Sequence, residues 1–441
     1  MRRLLVVAAL VVGVFGIGAI AIAPRLGPAP PPAAPVLLAP AGEASTVEDL
    51  SKAISAARDR LNRLPADWLT WARLGQAYVQ QARITADPRP YAQAETALNR
   101  SLELRPKDNA AALTGLGALA AARHDFAGAL HYGQQAVATD AYSAAAHGVV
   151  ADALVELGRY DEATNAVQQM VDLRPDTGSY ARASYINELH GRLPAARELM
   201  ELALQVAPTP ADAAFAHQHL ALLAFAAGDR ATASSHVEQG LAMAPGYPPL
   251  RALRARLIAA RGDTTAAIEE LRAVVARLPI PEYATALGDL LSVTGDRAGA
   301  QAQYDLVRAS AALFKANGVR VDLDLVVFDA DRTVLDRATL ASSTVDSAVA
   351  GYKERPSITA ADALGWALYA AGRSSEALKY ANEALRLGTR SADFHYHRGM
   401  IRAALGDKAG AKADLTEALR LNPHFSPRHA TLAMDTLGAL S

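Results

Sequence analysis

From Trp71 to Pro106 the apolar and small residues fall at helical spacings in two successive stretches. Trp71, Leu74, Gly75 and Tyr78 share one helix face, Ala94 and Leu98 share another, and Pro106 marks the end of the second helix. Two antiparallel helices pack closely where small residues oppose each other and larger ones wedge around them, so Gly75 is expected against Ala94. About seven extra residues around Thr85 to Pro90 predict a lengthened turn between the two helices.

The same pattern recurs. Pro106, Pro175, Pro208, Pro245 and Pro279 are separated by 69, 33, 37 and 34 residues, and 69 divides into two units if Ala141 stands where a proline would. Gly158, Gly191, Gly228, Gly262 and Gly295 keep the same beat at 33, 37, 34 and 33. Two independent punctuation marks at one period predict an internal repeat of paired helices. Residues 46–66 supply a second helix without a first, through Ala53, Ala57, Leu61 and Pro65, and form an N-terminal capping half-repeat. The regular array then fills 67–317, with Ala309 to Asn317 prolonging its last helix. Residues 318–356 are degenerate, 357–425 hold two further units, and 426–441 form a capping helix.

Trp71, Leu74, Gly75 and Tyr78 match W-x2-L-G-x2-Y, and Ala94, Leu98 and Pro106 match the A-x3-large…P spacing after it; the chain thereby resembles the tetratricopeptide-repeat family. The resemblance implies an all-α, right-handed α-solenoid of about ten helix-turn-helix repeats whose concave wall is built by the first helices. It further implies a non-catalytic scaffold or adaptor that binds protein or peptide partners on that wall. Large side chains expected there are Tyr185, Phe215, Leu222 and Phe225 in the middle of the array, and Trp366, Tyr369, Tyr396 and Met400 towards its end. Trp366 with Tyr369 and Tyr396 with Met400 would join into one apolar strip on neighbouring helices. A one-residue error in register would instead place these side chains in the core. The lysine and asparagine clamp with which some members hold a chaperone's terminal carboxylate is not visible.

Composition narrows the reading. Of 441 residues 51% are hydrophobic but only 6% aromatic, so alanine and leucine carry the packing, and a repeat array lets so long a chain share one core along its axis. A formal net charge of −1 gives no electrostatic case for nucleic acid. The absence of cysteine removes disulfides, thiolate chemistry and lipid attachment through an N-terminal cysteine. Residues 1–23 contain an uncharged run from Leu4 to Ala23 behind Arg2 and Arg3, long enough for a transmembrane anchor or a signal sequence. Ala21-Ile22-Ala23 favours cleavage, while Pro24 obstructs it and favours a retained anchor with the repeats outside the cytoplasm. The Pro/Ala-rich linker at 24–45 would hold the repeats off the membrane. A soluble cytoplasmic scaffold is the alternative.

Chemistry has one candidate. The apolar run into Asp329-Ala330-Asp331-Arg332-Thr333-Val334 resembles the first motif of haloacid-dehalogenase-like phosphatases, and the alternation from Val321 to Leu325 reads as a strand. The resemblance would make one aspartate a nucleophile and the other a general acid. Only about twenty-five residues separate Val334 from the next repeat, too few for that fold, and a variant repeat helix is the favoured reading. His217 with His219, and His395 with His397, lie two apart, so on a helix each pair diverges and cannot share a metal. No metal, cofactor or catalytic residue is expected.

Overall fold

A computed structural model describes residues 47–320, 323–336 and 338–440. The uncharged run Leu4 to Ala23 and the linker after it lie outside them. Within them no helix is long and apolar enough to cross a membrane.

The described residues form α-helices only: α1 (Val47–Arg63), α2 (Trp68–Thr85), α3 (Pro90–Leu104), α4 (Ala110–Ala122), α5 (Phe126–Thr139), α6 (Ala144–Glu156), α7 (Tyr160–Leu173), α8 (Thr177–Leu189), α9 (Leu193–Gln205), α10 (Pro210–Ala226) and α11 (Arg230–Met243). There follow α12 (Pro248–Ala259), α13 (Thr264–Arg277), α14 (Pro281–Val293), α15 (Arg297–Ala316), α16 (Leu323–Asp336), α17 (Ser342–Glu354), α18 (Ile358–Ala370), α19 (Ser374–Ala384), α20 (Ala392–Ala404), α21 (Lys408–Leu421) and α22 (His429–Ala439). Each even-numbered helix from α2 to α20 pairs with the odd-numbered helix after it, giving ten repeats. Among the described residues the second helix α1 precedes them without a first, and the first helix α22 follows without a second.

Pairing rests on the small residues. Gly75 lies against Leu98 and the carbonyl of Ala94, and Gly365 against Ala377 and Ala381, so a side chain at either glycine would push the helices apart. The turns between paired helices share a chemistry. Asp229, Asp263, Asp296 and Asp407 each follow a glycine and accept a hydrogen bond from a backbone N–H in the first turn of the next helix. Such a cap is worth about 1 kcal/mol.

Two local expectations change. The residues around Thr85 lengthen α2 to 18 residues, and Ala86 in the left-handed conformation ends it, so the turn itself stays short. Of the strand-like alternation from Val321 to Leu325, Val321 and Asp322 lie outside the described residues, and Leu323 to Leu325 open helix α16, whose buried side carries Leu323, Val326 and Phe328.

Successive repeats curl until the array meets itself. The turn inside repeat 2 touches the linker after repeat 7, where Arg320 N–H donates to Arg123 O and its guanidinium lies 3.1 Å from Asp125. Repeat 3 meets the linker after repeat 8, with Ile358 N–H donating to Tyr160 Oη at 2.8 Å and Arg355 3.3 Å from Glu156. Repeat 4 meets the linker after repeat 9 through Thr389 Oγ1 and Leu189 O, and repeat 5 meets the chain after repeat 10 through Asn422 Nδ2 and Phe225 O at 2.9 Å. One register, five repeats apart, therefore runs along a continuous seam.

The seam explains two glycines more fully than their turns do. Gly158 and Gly191 have φ of 70° and 69°, which glycine adopts without strain, and each also has a backbone carbonyl, of Pro356 and Gly388 respectively, where a Cβ would project. Apolar side chains cross as well: Ile358 is buried among Tyr160, Leu189 and Ala163, with Leu387 and Phe394 packed against the same cluster. Arg355 lies over the Phe126 ring and Arg386 over the Tyr160 ring. Between repeats 7 and 8 a buried arginine carries the contact: Arg332 on α16 reaches Asp289 on α14 at 2.9 Å and covers the Tyr304 ring.

Candidate functional site

The inner wall is set by register. Ser184, Ala221, Gly365 and Gly399 are the small residues at which a first helix is buried on or touches its second helix. Trp366, directly after Gly365, meets side chains of other first helices, Asp331 of α16, Tyr396 and His397 of α20 and His429 of α22, and Tyr185, Leu222 and Met400 hold the same place after their small residues. What the inside of the curl contains differs along the array.

In repeats 4 and 5 it is open. Tyr185 is 43% exposed, and Phe215 and Leu222 are half-buried, Phe215 meeting the His219 ring edge-on at 4.4 Å. Phe225 is buried beneath Arg256, which lies over its ring at 4.8 Å, and belongs to the core rather than to the wall. Glu188, one helical turn after Tyr185, shares its face.

In repeats 8 to 10 the inside is filled, and the expected apolar strip is core. Trp366 and Tyr396 are 0% exposed and Met400 is buried, while Tyr369 is half-buried and stacks on Trp366 at 4.9 Å. The reason is curvature: inward side chains of α16, α18, α20 and α22 converge until they pack on one another. Trp366 stacks on His397 at 4.1 Å, Tyr396 stacks on His429 at 4.9 Å, and Trp366 Nε1 donates to Asp331 at 2.7 Å.

This filling carries charge. His397 lies 3.0 Å from Asp362; burial works against its protonation, but Asp362 holds the imidazole above its ordinary value. Burial pushes Asp331 up to about 6, against the pull of His397 and the Trp366 hydrogen bond. Burial and the neighbouring His397 push His429 down to about 3. The result is a rigid polar plug that fixes the four helices relative to one another.

Between the plug and repeats 2 and 3 remains a cavity of about 400 Å³. Phe126, Val327 and Phe394 give it apolar walls, and Glu156, Arg355 and Asp362 give it polar ones. Nearby groups sense confinement. Burial raises Glu156 against the pull of Arg355, raises Glu188, and raises Asp393 to about 6 although Asp393 presents accessible surface. Sequence reasoning passed over Glu188 and Asp393; the available signal was their position, three residues after Tyr185 and three before Tyr396.

The aspartate pair of the phosphatase-like motif does not converge. Asp329 lies 3.2 Å from Arg308, whereas Asp331 points into the plug. The histidine pairs diverge too: His395 is 3.2 Å from Asp414 and His397 faces Asp362. Among the described residues no group of three or more potential ligands is placed to hold a metal ion.

A family model described as tetratricopeptide repeat matches residues 120–184 and 224–290, and a second with the same description matches 363–434. No curated protein sequence matches the chain. Solved structures to which it is similar include a thermophilic TPR protein of Thermus thermophilus, at 22% identity over 43% of this chain and 98% of that one, with a TM-score of 0.38. Another is a tetratricopeptide repeat protein from Parabacteroides merdae, at 16% identity over 55% of this chain and 98% of that one, with a TM-score of 0.41.

Proposed function

Because the chain is a tetratricopeptide-repeat solenoid, we propose that it is a non-catalytic scaffold that binds a protein or peptide partner on the inner wall of repeats 4 and 5. Repeats of this kind generally serve as scaffolds. The observation that supports the placement is Tyr185, a large side chain left 43% exposed on the inside of the curl, beside Glu188 and near the accessible parts of Phe215 and Leu222. An aromatic anchor next to a partly desolvated carboxylate suits a segment with an apolar side chain adjacent to a basic one. The uncharged run from Leu4 to Ala23 supports a retained membrane tether with the repeats outside the cytoplasm; membrane fractionation with protease protection tests it.

A photo-crosslinking side chain at Tyr185 should capture the partner, whereas one at Glu198, exposed on second helix α9, should not. Tyr185→Ala with Leu222→Ala should weaken capture by about tenfold or more, as loss of an interface anchor does, with an unchanged melting temperature. Equal capture from both positions, or undiminished binding in the double variant, would move the binding surface elsewhere.

A further inference from the structure

The seam uses only part of each edge of the coil. Turns of repeats 2 to 5 are covered by the linkers after repeats 7 to 10, but among the described residues the turns of repeats 6, 7, 9 and 10 and the linkers around repeats 1 to 5 have no such partner, while beside the turn of repeat 8 Asp336 pairs with Arg428 at 2.6 Å. Gly262, Gly295, Gly372 and Gly406, which occupy in those turns the place Gly158 and Gly191 occupy in theirs, have nothing within 4 Å of a Cβ position.

Exposed apolar side chains gather on these uncovered edges. Leu64, Tyr142, Val206 and Met243 project from or beside the free linkers, Tyr142 with 85% of its surface exposed, while Val293 and Leu405 project from the free turns. Covered positions show what such residues do when paired. Val293 stands two before its turn glycine, as Leu189 does, and Leu189 is buried in the seam cluster. Val206 stands two before a linker proline, as Leu421 does, and Leu421 is buried with its carbonyl beside Gly228.

The two ends of the array match in the same sense. Among the described residues helix α1 packs on α2 as a second helix without a first, and α22 packs on Tyr396, Leu415 and Leu421 as a first helix without a second. Setting α22 of one copy beside α1 of another completes an eleventh repeat. The five-repeat register then continues unaided: the linker at Leu64 of the following copy falls on the turn of repeat 6, and that at Val206 falls on the turn of repeat 10, beside Leu405. Helix α1 offers Lys52, Ser55 and Asp59 to solvent, so the edges rather than the helix ends supply the apolar contact.

We propose that this chain associates with itself head to tail, a second copy docking on the free edges and prolonging the seam between molecules. Such a contact is heterologous, joining one surface to a different one, and therefore grows without closing.

Sedimentation velocity of the full chain over a concentration series tests the proposal. The wild type should shift progressively to larger species. Val293→Glu with Leu405→Glu blocks one edge, Tyr142→Glu with Val206→Glu blocks the other, and each pair should weaken association at least tenfold at an unchanged melting temperature. An equimolar mixture of the two variants retains one good contact per pair of molecules and should give a one-to-one dimer that grows no further. Alanine pairs at the same positions provide the comparison should a glutamate pair unfold the chain. A wild type monomeric at every concentration, association undiminished in both variants, or a mixture that stays monomeric would each overturn it.

Discussion

At the scale of the residue, charge is held in two contrasting ways. In the plug, burial among aromatic rings resists the ionisation of Asp331 and His429, while His397 is held protonated by Asp362. On the neighbouring face of repeat 10, Asp414 is nearly as buried yet strongly ionised: burial alone would raise it, but hydrogen bonds from His395 and Arg398 and the charge of Arg402 hold it down to about 2. A carboxylate depressed from about 3.9 in the unfolded chain adds stability that is complete above that value and disappears as pH falls through the folded one. Asp414→Asn should therefore cost about 2 to 3 kcal/mol at neutral pH. The gap to wild type should narrow between about pH 4 and about pH 2. Thermal melts across that range check it, and a gap independent of pH would show that packing, not charge, is lost.

At the scale of the element, each helix pair is written locally, which is why so much of it could be read from the chain. Gly75 against Ala94, the turn glycines and the long α15 follow from spacing and side-chain size over a few dozen residues. Seam glycines have a second reason that no local pattern carries. Gly262→Ala meets only the left-handed backbone, a cost of about 1 to 2 kcal/mol, while Gly158→Ala adds a collision with the Pro356 carbonyl. The second substitution should exceed the first by about 1 kcal/mol or more in chemical denaturation. Equal costs would mean that the seam yields freely. Trp366 and Tyr396 follow the same rule: their inward direction was legible, but their burial depends on small rotations accumulated over several repeats, which a period in the sequence does not record.

At the scale of the whole molecule, a solenoid whose repeats touch only their neighbours has local stability. This one departs from that rule along the seam. Ala163, fully buried between α6 and α7, shares its cluster with Ile358. Ala163→Phe should overpack repeat 3 at a cost of about 1 to 3 kcal/mol. Hydrogen exchange should then rise in two separate bands, one around residues 120–190 and one around 355–395, with repeats 6 and 7 between them unaffected. A single band would confine the perturbation to sequence neighbours. Curl and seam also account for the part of the candidate site that sequence could not supply, because they leave the inner wall open at Tyr185 and closed at Trp366.

The seam also orders events during synthesis. Its hydrogen bonds join residues 197 to 200 positions apart, so repeats 2 to 5 are complete long before anything covers their turns. At about 5 to 20 residues per second, the wait on the ribosome is roughly 10 to 40 s. Throughout it Tyr160, Leu189 and Phe225 border an edge that is finished in shape but unoccupied. Another nascent chain of the same kind, translated alongside on one messenger, offers that edge a substitute during the wait.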